Sequence, residues 1–251
     1  MKVSLITATF NSEFTIKSCL DSVASQSYDD IEHLIIDGGS TDQTVSIVED
    51  HATIHTNVSV VSEPDNGIYD ALNKGIDRAS GDIIGFVHSD DVLNSPDTIS
   101  LIIENFQKNN PDGVYGDLKY VDHRDLAKTK RYWKSSKFHK NLLNRGWMPP
   151  HPTLFLRNQI YASYGLFDTK FKIAADYDFI LRIFNKPGHT YNYIPEVFVL
   201  MRVGGESNKS IRNIIEKSKE DYLALKGNNM RFPFLILLKK NIQKVPQWFI
   251  K

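Results

Sequence analysis

The chain has 251 residues, 41% hydrophobic and 24% charged, an ordinary composition for a globular protein long enough to bury most of its apolar surface. Thirty basic residues balance thirty acidic ones, leaving no basic field of the kind that gathers nucleic acid. The single cysteine, Cys19, excludes a disulfide framework and suits a reducing, cytoplasmic setting.

The opening run MKVSLITATF is too short for a signal peptide. No stretch reaches the ~18 apolar residues of a membrane span. VSLITATF reads as a buried strand, and NSEFTIKSCLDSV as a helix with Ile16, Leu20 and Val23 on one face behind an Asn11 or Ser12 cap. HLIID is a second strand, followed by a helix that Thr41 or Asp42 can cap. VSVVSE is a third, leading into GIYDALNKGIDRAS with Ile68, Leu72, Ile76 and Ala79 in one stripe. DIIGFV is the fourth. Such alternation predicts βαβ units and a Rossmann-like, mostly parallel sheet flanked by helices.

The second half is less regular. GVYGDLKYVD and TKRYWK suggest an antiparallel edge, MPPHPTLFL a Pro-rich loop entering a strand, and YIPEVFVLMRV a strand broken by a turn. ADYDFILRIF is helical, with Ile180, Ile183 and Phe184 buried, Asp176 along that inward face, and Asp178 about 200° away facing outward. IRNIIEKSKEDYLALKG is a helix ending at Gly227. With no repeat or linker, one domain with two functional halves is expected.

Ligands of open α/β sheets bind beyond the carboxyl ends of the parallel strands. Here those ends carry Asp37, the run SEPDNG, and HSDD at residues 88–91. Singly, such residues are turn formers or caps. Several carboxylates on one rim repel one another unless a cation or a set of donors compensates. The first turn lacks the glycines of a dinucleotide-binding loop, and no P-loop occurs. A divalent cation such as Mg²⁺ or Mn²⁺, held by carboxylates and substrate phosphate oxygens, is the remaining common solution. An inward Asp176 beside such a site is a candidate general base.

VSLITATFNSEFTIKSCLDSVASQSYDDIEHLIIDGGSTDQT, SEPDNGIYDALNKGIDRASGDIIGFVHSDDVL, HPTLF and GLFDTKFKIAADYDFILRI together resemble the family 2 glycosyltransferases of GT-A fold, most closely bacterial enzymes of surface-polysaccharide synthesis. The likeness runs to about RVGGESNKS, with its motifs in order. It implies an inverting, metal-dependent transferase using a nucleotide sugar, commonly a uridine diphosphate sugar, with Mn²⁺ or Mg²⁺. It carries the nucleotide contacts onto Thr7, Ala8, Thr9, Phe10, Asp37, Glu63, Asp65, Asn73, His88, Ser89 and Asp90, with Asp90 as metal ligand. His88 stands where relatives carry an aspartate, and is expected to face ribose or a water behind the metal. Asp91 is expected to shape the turn. Asp176 matches the family's catalytic base, with Ala175 in place of the usual Glu, and His151 is expected on the acceptor side. The acceptor would be a glycan or a polyprenyl-diphosphate-linked sugar. The resemblance divides the chain into a domain over 1–206 (nucleotide-sugar half 1–118, acceptor and catalytic half 119–206) and a helical extension over 207–251. A non-catalytic sugar-nucleotide-binding or scaffold protein keeping the fold is the alternative.

Residues 231–251 carry five basic side chains and no acid among Phe232, Phe234, Leu235, Ile236, Leu237, Leu238, Trp248 and Phe249. This pattern suits a peripheral contact of residues 229–251 with the cytoplasmic face of an anionic inner membrane. Packing on the chain's own domain, or on a second copy in a homodimer, is the competing expectation.

Overall fold

The computed structural model describes residues 1–204 and 211–242. The apolar runs of the first half form β1 (Val3–Thr9), β2 (Ile31–Asp37), β3 (Val58–Ser62) and β4 (Ile83–Phe86), all parallel, in the order β3-β2-β1-β4. Every residue of β1 is buried, as expected of a strand covered on both faces. Its alternation divides the interior: Leu5 packs with Cys19 on one face, and Ile6 with Leu72 and Ile76 on the other. Helix α1 (Ile16–Ala24) and helix α4 (Thr98–Asn109) cover the first face. Helix α2 (Thr44–Ile54) joins α1 over β2 through Val48. Helices α3 (Ile68–Arg78), α5 (Asn158–Tyr164) and α6 (Ala175–Phe184) cover the second.

Beyond β4 the sheet continues through the strands expected in the second half, with one short addition, β5 (Asp91–Leu93), that periodicity does not single out. β8 (Phe155–Arg157) runs antiparallel to β4 and β6 (Gly113–Val121) antiparallel to β8. β9 (Tyr191–Arg202) then runs parallel to β6, and β5 antiparallel to β9. The expected antiparallel edge is the pairing of β7 (Thr129–Trp133) with β6. Gly85 lets β4 and β8 meet, since a Cβ there would lie 2.2 Å from the Phe155 ring. The division expected at residue 118 falls inside β6, whose three paired strands, β7, β8 and β9, all come from the second half.

Several local expectations give way. β9 is one twelve-residue strand rather than two pieces. Its irregularity is absorbed as register shifts against Tyr115–Leu118, which is how a sheet accommodates a residue such as Pro195 without ending. Neither Asn11 nor Ser12 caps α1 with its side chain; the Ser12 carbonyl accepts the Thr15 and Ile16 amides. Asp42 accepts the Thr44 amide just ahead of α2. Ile68 is exposed at the start of α3, although Leu72 and Ile76 are buried.

Asp178 is buried, paired with Arg182 at 2.7 Å and accepting from Asn228 Nδ2 at 2.8 Å. Helix α6 is enclosed nearly all round, by α5 on one side and by α7 (Ile211–Gly227) on another. α7 ends at Gly227 as expected, and the left-handed residue that closes it off is Asn229, at φ 54°, with the Met230 amide reaching back to the Leu225 carbonyl. Helix α8 (Pro233–Ile242) then packs on the domain through Ile236 and Lys240 and leaves Phe234, Leu235, Leu238 and Ile242 exposed. Trp248 and Phe249 lie outside the described residues. No described helix is long and apolar enough to cross a membrane.

Candidate active site

The carboxyl ends of β1, β2 and β4 meet at one rim. Thr9 is buried there and Phe10 stands out at 61% exposure. Asn11, at φ 47°, turns back so that its side-chain oxygen accepts the Thr41 amide at 2.9 Å. Asp37 is fully buried. Its carboxylate accepts the Gly39 and Ser40 amides and the hydroxyls of Ser40 and Ser62. It therefore stabilises the loop that bounds the rim, and its oxygens are already engaged by its own chain. Asp65 lies so close to Gly38 that a Cβ there would stand 2.4 Å from Oδ2; its other oxygen accepts the Gly67 amide at 2.8 Å.

Other expected nucleotide residues are occupied elsewhere. Thr7 and Ala8 are buried, and the Thr7 hydroxyl donates to the Val87 carbonyl at 2.6 Å. Glu63 pairs with Lys74 at 3.1 Å. Asn73 clasps both backbone groups of Phe167, donating to its carbonyl and accepting its amide. These contacts of Thr7, Glu63 and Asn73 brace the walls of the site.

At the end of β4 the HSDD run spreads its members apart. Ser89 is within hydrogen-bond distance of Ser12, 3.0 Å between hydroxyl oxygens. Asp90 is half-buried, and its carbonyl accepts Arg202 Nη1 at 2.6 Å. Arg202 also donates to the His123 carbonyl and to Ser18, so the end of β9 fixes the turn from beneath. Asp91 points the other way and begins β5, fully buried, with no partner for either carboxyl oxygen among the described residues. Burial and the Asp90 charge push its carboxyl well above the usual range.

His88 reaches His151 and, through it, Asp176 at the start of α6. Its Nε2 lies 3.4 Å from Nε2 of His151, and His151 Nδ1 lies 3.1 Å from Asp176 Oδ2. The Tyr69 hydroxyl, 3.2 Å from Asp176 Oδ1 and 2.9 Å from the Ile173 carbonyl, shares its proton between them. An ionised Asp176 accepts only, which assigns the other proton positions: His151 carries hydrogen on Nδ1, and His88 donates from Nε2 across to His151. Burial holds both histidines below their ordinary value, His151 down to about 4, so both are neutral at pH 7. Burial alone would raise Asp176. His151, Lys217 and Lys240 outweigh it and hold the carboxyl below 3.8.

What aims this carboxylate lies far away in the chain. Glu220, on α7, accepts the Lys172, Ile173 and Ala174 amides at 2.8–3.0 Å, capping the approach to α6 from outside. Asp176 sits in the first turn, 16% exposed. Glu220, Tyr69, Arg202 and Lys240 are parts of the site that sequence reasoning missed, and none of them has a local motif to mark it.

A Rossmann-like sheet with an acidic rim, an antiparallel second half and an ionised carboxylate heading a helix beside it defines a GT-A glycosyltransferase. The glycosyl transferase family 2 model matches residues 4–164. The chain belongs to that family. It is 31% identical over 208 residues, 82% of this chain and 78% of the other, to a PGL/p-HBAD biosynthesis glycosyltransferase of Mycobacterium tuberculosis. It is 26% identical over 242 residues (92% and 73%) to an uncharacterized glycosyltransferase of Haemophilus influenzae. The crystal structure of S. aureus TarS 1–349 in complex with UDP-GlcNAc superposes with a TM-score of 0.71 at 22% identity, covering 99% of this chain and 78% of that one. A mannosyltransferase of Pyrobaculum calidifontis, in complex with GDP-Man and Mn²⁺, does so at 0.69 and 20%, covering 99% and 73%.

Proposed function

We propose that the protein is an inverting transferase that moves a sugar from a uridine diphosphate donor to a hydroxyl of a glycan or lipid-linked acceptor in surface-polysaccharide synthesis. The observation that carries this reading is the Asp176 carboxylate, buried, ionised and braced by His151 and Tyr69. In a single displacement Asp176 takes the acceptor hydroxyl proton as its oxygen bonds the anomeric carbon. The bond from that carbon to the diphosphate oxygen breaks, and its electron pair leaves with the nucleoside diphosphate. An ordinary carboxylate suffices as base because the hydroxyl acidifies once it bonds an oxocarbenium-like carbon.

Asp90 suits a hard cation of the Mg²⁺ or Mn²⁺ kind. Among the described residues no group of three or more potential ligands gathers, and such ions take one or two carboxylates, completing their shell with phosphate and water. When bound, the ion neutralises charge on the departing diphosphate. The Asp37 loop, Asp65, Phe10 and Ser89 bound the nucleotide side, and His151 faces the acceptor.

The test is Asp176→Asn. Transfer should fall by about 10²–10⁴ while uridine diphosphate binding stays within about twofold; near wild-type transfer overturns the assignment. A non-catalytic sugar-nucleotide-binding protein would bind the donor in both forms and turn it over in neither.

The exposed side of α8, with Phe234, Leu235, Leu238 and Ile242 beside Lys239, supports peripheral attachment to an anionic membrane, where a lipid-linked acceptor would reside. Flotation with phosphatidylglycerol vesicles should be lost in Phe234→Glu/Leu238→Glu. Equal flotation of both proteins refutes the contact, and dimerisation abolished by the same changes assigns the face to a second copy.

A further inference from the structure

A cavity of about 60 Å³ runs from His88, two residues before Asp90, to the Asp176 carboxylate. Its walls come from α3, the end of β4, β8 and the turn into it, the loop after α5, and α6: Leu72, Phe86, Leu154, Leu156, Phe167 and Phe179. Tyr69, His88, His151 and Asp176 are its polar members. They bond to one another in a chain, so they form one polar edge and the rest of the wall is apolar. A sugar hydroxyl pushed against that wall would lose water and find no partner. An apolar group would lose nothing. The volume exceeds the ~10–15 Å³ that a single water needs, which leaves room for a methyl-sized substituent.

Resting on the glycosyl-transfer reading, the position of the cavity identifies which substrate uses it. The anomeric carbon must lie between the departing diphosphate, on the Asp90 side, and the acceptor oxygen on Asp176. The cavity underlies that span. We infer that it is a specificity pocket for a methyl-bearing donor sugar, receiving either the methyl of a C2 N-acetyl group or the C6 methyl of a 6-deoxyhexose. The apolar wall selects the methyl; the polar edge remains with the reacting atoms.

Three donors sharing one nucleotide make the test: UDP-glucose, UDP-N-acetylglucosamine and UDP-6-deoxyglucose, titrated against the whole protein by calorimetry with Mn²⁺ present. One methyl-bearing donor should bind about 10–200-fold more tightly than UDP-glucose, the range one methylene-sized group commands in an apolar pocket. Which of the two binds tightly tells the N-acetyl methyl from the C6 methyl. Leu154→Phe, which fills the cavity, should collapse that ratio to within about threefold of unity, with affinity for UDP itself held as the check on folding. Leu72→Phe fills it from the opposite wall and should do the same. Equal affinity for all three donors overturns the inference, as does a preference that survives both fillings. Because the readout is binding, loss of transfer with the preference intact would count against the proposed reaction and leave the pocket standing.

Discussion

Lys240 holds helix α8 against the catalytic half. Its ammonium lies 2.8 Å from Asp221 Oδ1 and 3.2 Å from the centre of the Tyr177 ring. Both charges are withdrawn from water, Lys240 at 5% exposure and Asp221 at 2%. Burial pulls the ammonium below its ordinary value of 10.5, against the attraction of Asp221. A buried pair of this kind adds little net stability, because desolvation offsets the attraction, but breaking it strands a charge at a cost of about 3–5 kcal/mol. Lys240→Met keeps most of the stem and removes the cation. It should therefore lower unfolding free energy by about 3–5 kcal/mol out of a typical 5–15. At roughly 2–4 °C per kcal/mol for a chain of this size, Tm should fall by about 6–20 °C. Lys240→Met/Asp221→Leu removes both charges and should lie within about 1 kcal/mol of wild type or above it. Urea denaturation followed by circular dichroism gives all four corners of the cycle. A loss under about 1 kcal/mol in Lys240→Met, or a double variant as unstable as the sum of the singles, would refute the reasoning.

Glu220→Ala removes the acceptor for three amides ahead of α6. Because a 1 Å misplacement of a catalytic group can cost about 10²-fold, kcat should drop by about that factor with UDP affinity nearly unchanged; an unaltered kcat would show that α6 positions Asp176 unaided. His151→Phe removes the donor to Asp176, so the carboxylate loses support for its ionised form. The acidic limb of kcat should move to higher pH than in wild type across pH 4–8, and coincident limbs would contradict the pairing. Glu32 is held at about 2, against an ordinary 4.5, by hydrogen bonds from Lys2, Ser4 and Ser80 that outweigh its burial. A depressed carboxylate contributes stability above its unfolded value and loses it as pH falls through the folded one. The drop in unfolding free energy between pH 4.5 and 2 should therefore be smaller in Glu32→Gln, by up to about 3 kcal/mol; identical pH dependence would dissociate Glu32 from acid stability.

The first four strands were legible because buried parallel strands are written as unbroken apolar runs closed by turn formers. β5, three residues long, is too short to carry a period. Pro195-Glu196 reads as a turn locally, and only the pairing with β6 shows that the strand runs through it. The helical-wheel reading of α6 placed Asp178 outside because it allowed one covered face, whereas α5 and α7 cover others. For the site, the sequence places carboxylates at strand ends without showing where they point. Asp37 and Asp90 look alike in that respect, yet one is fully engaged by its own loop and the other is half-open. Glu220 was beyond reach for a simpler reason: it lies past the end of the recognisable motifs, 46 residues from the amide of Ala174 that it accepts.

The sheet order also sets a timetable. β5 is made early, but Asp91–Leu93 pairs with Val199–Met201 of β9, more than a hundred residues later. At a synthesis rate of about 5–20 residues per second, that is roughly 5–20 s during which β5 has no partner. β4 waits likewise for β8, with its edge open next to Gly85. A nascent chain halted between residues 121 and 155 therefore carries a four-stranded parallel sheet with one exposed apolar border, the kind of surface that chaperones bind and that other strands extend.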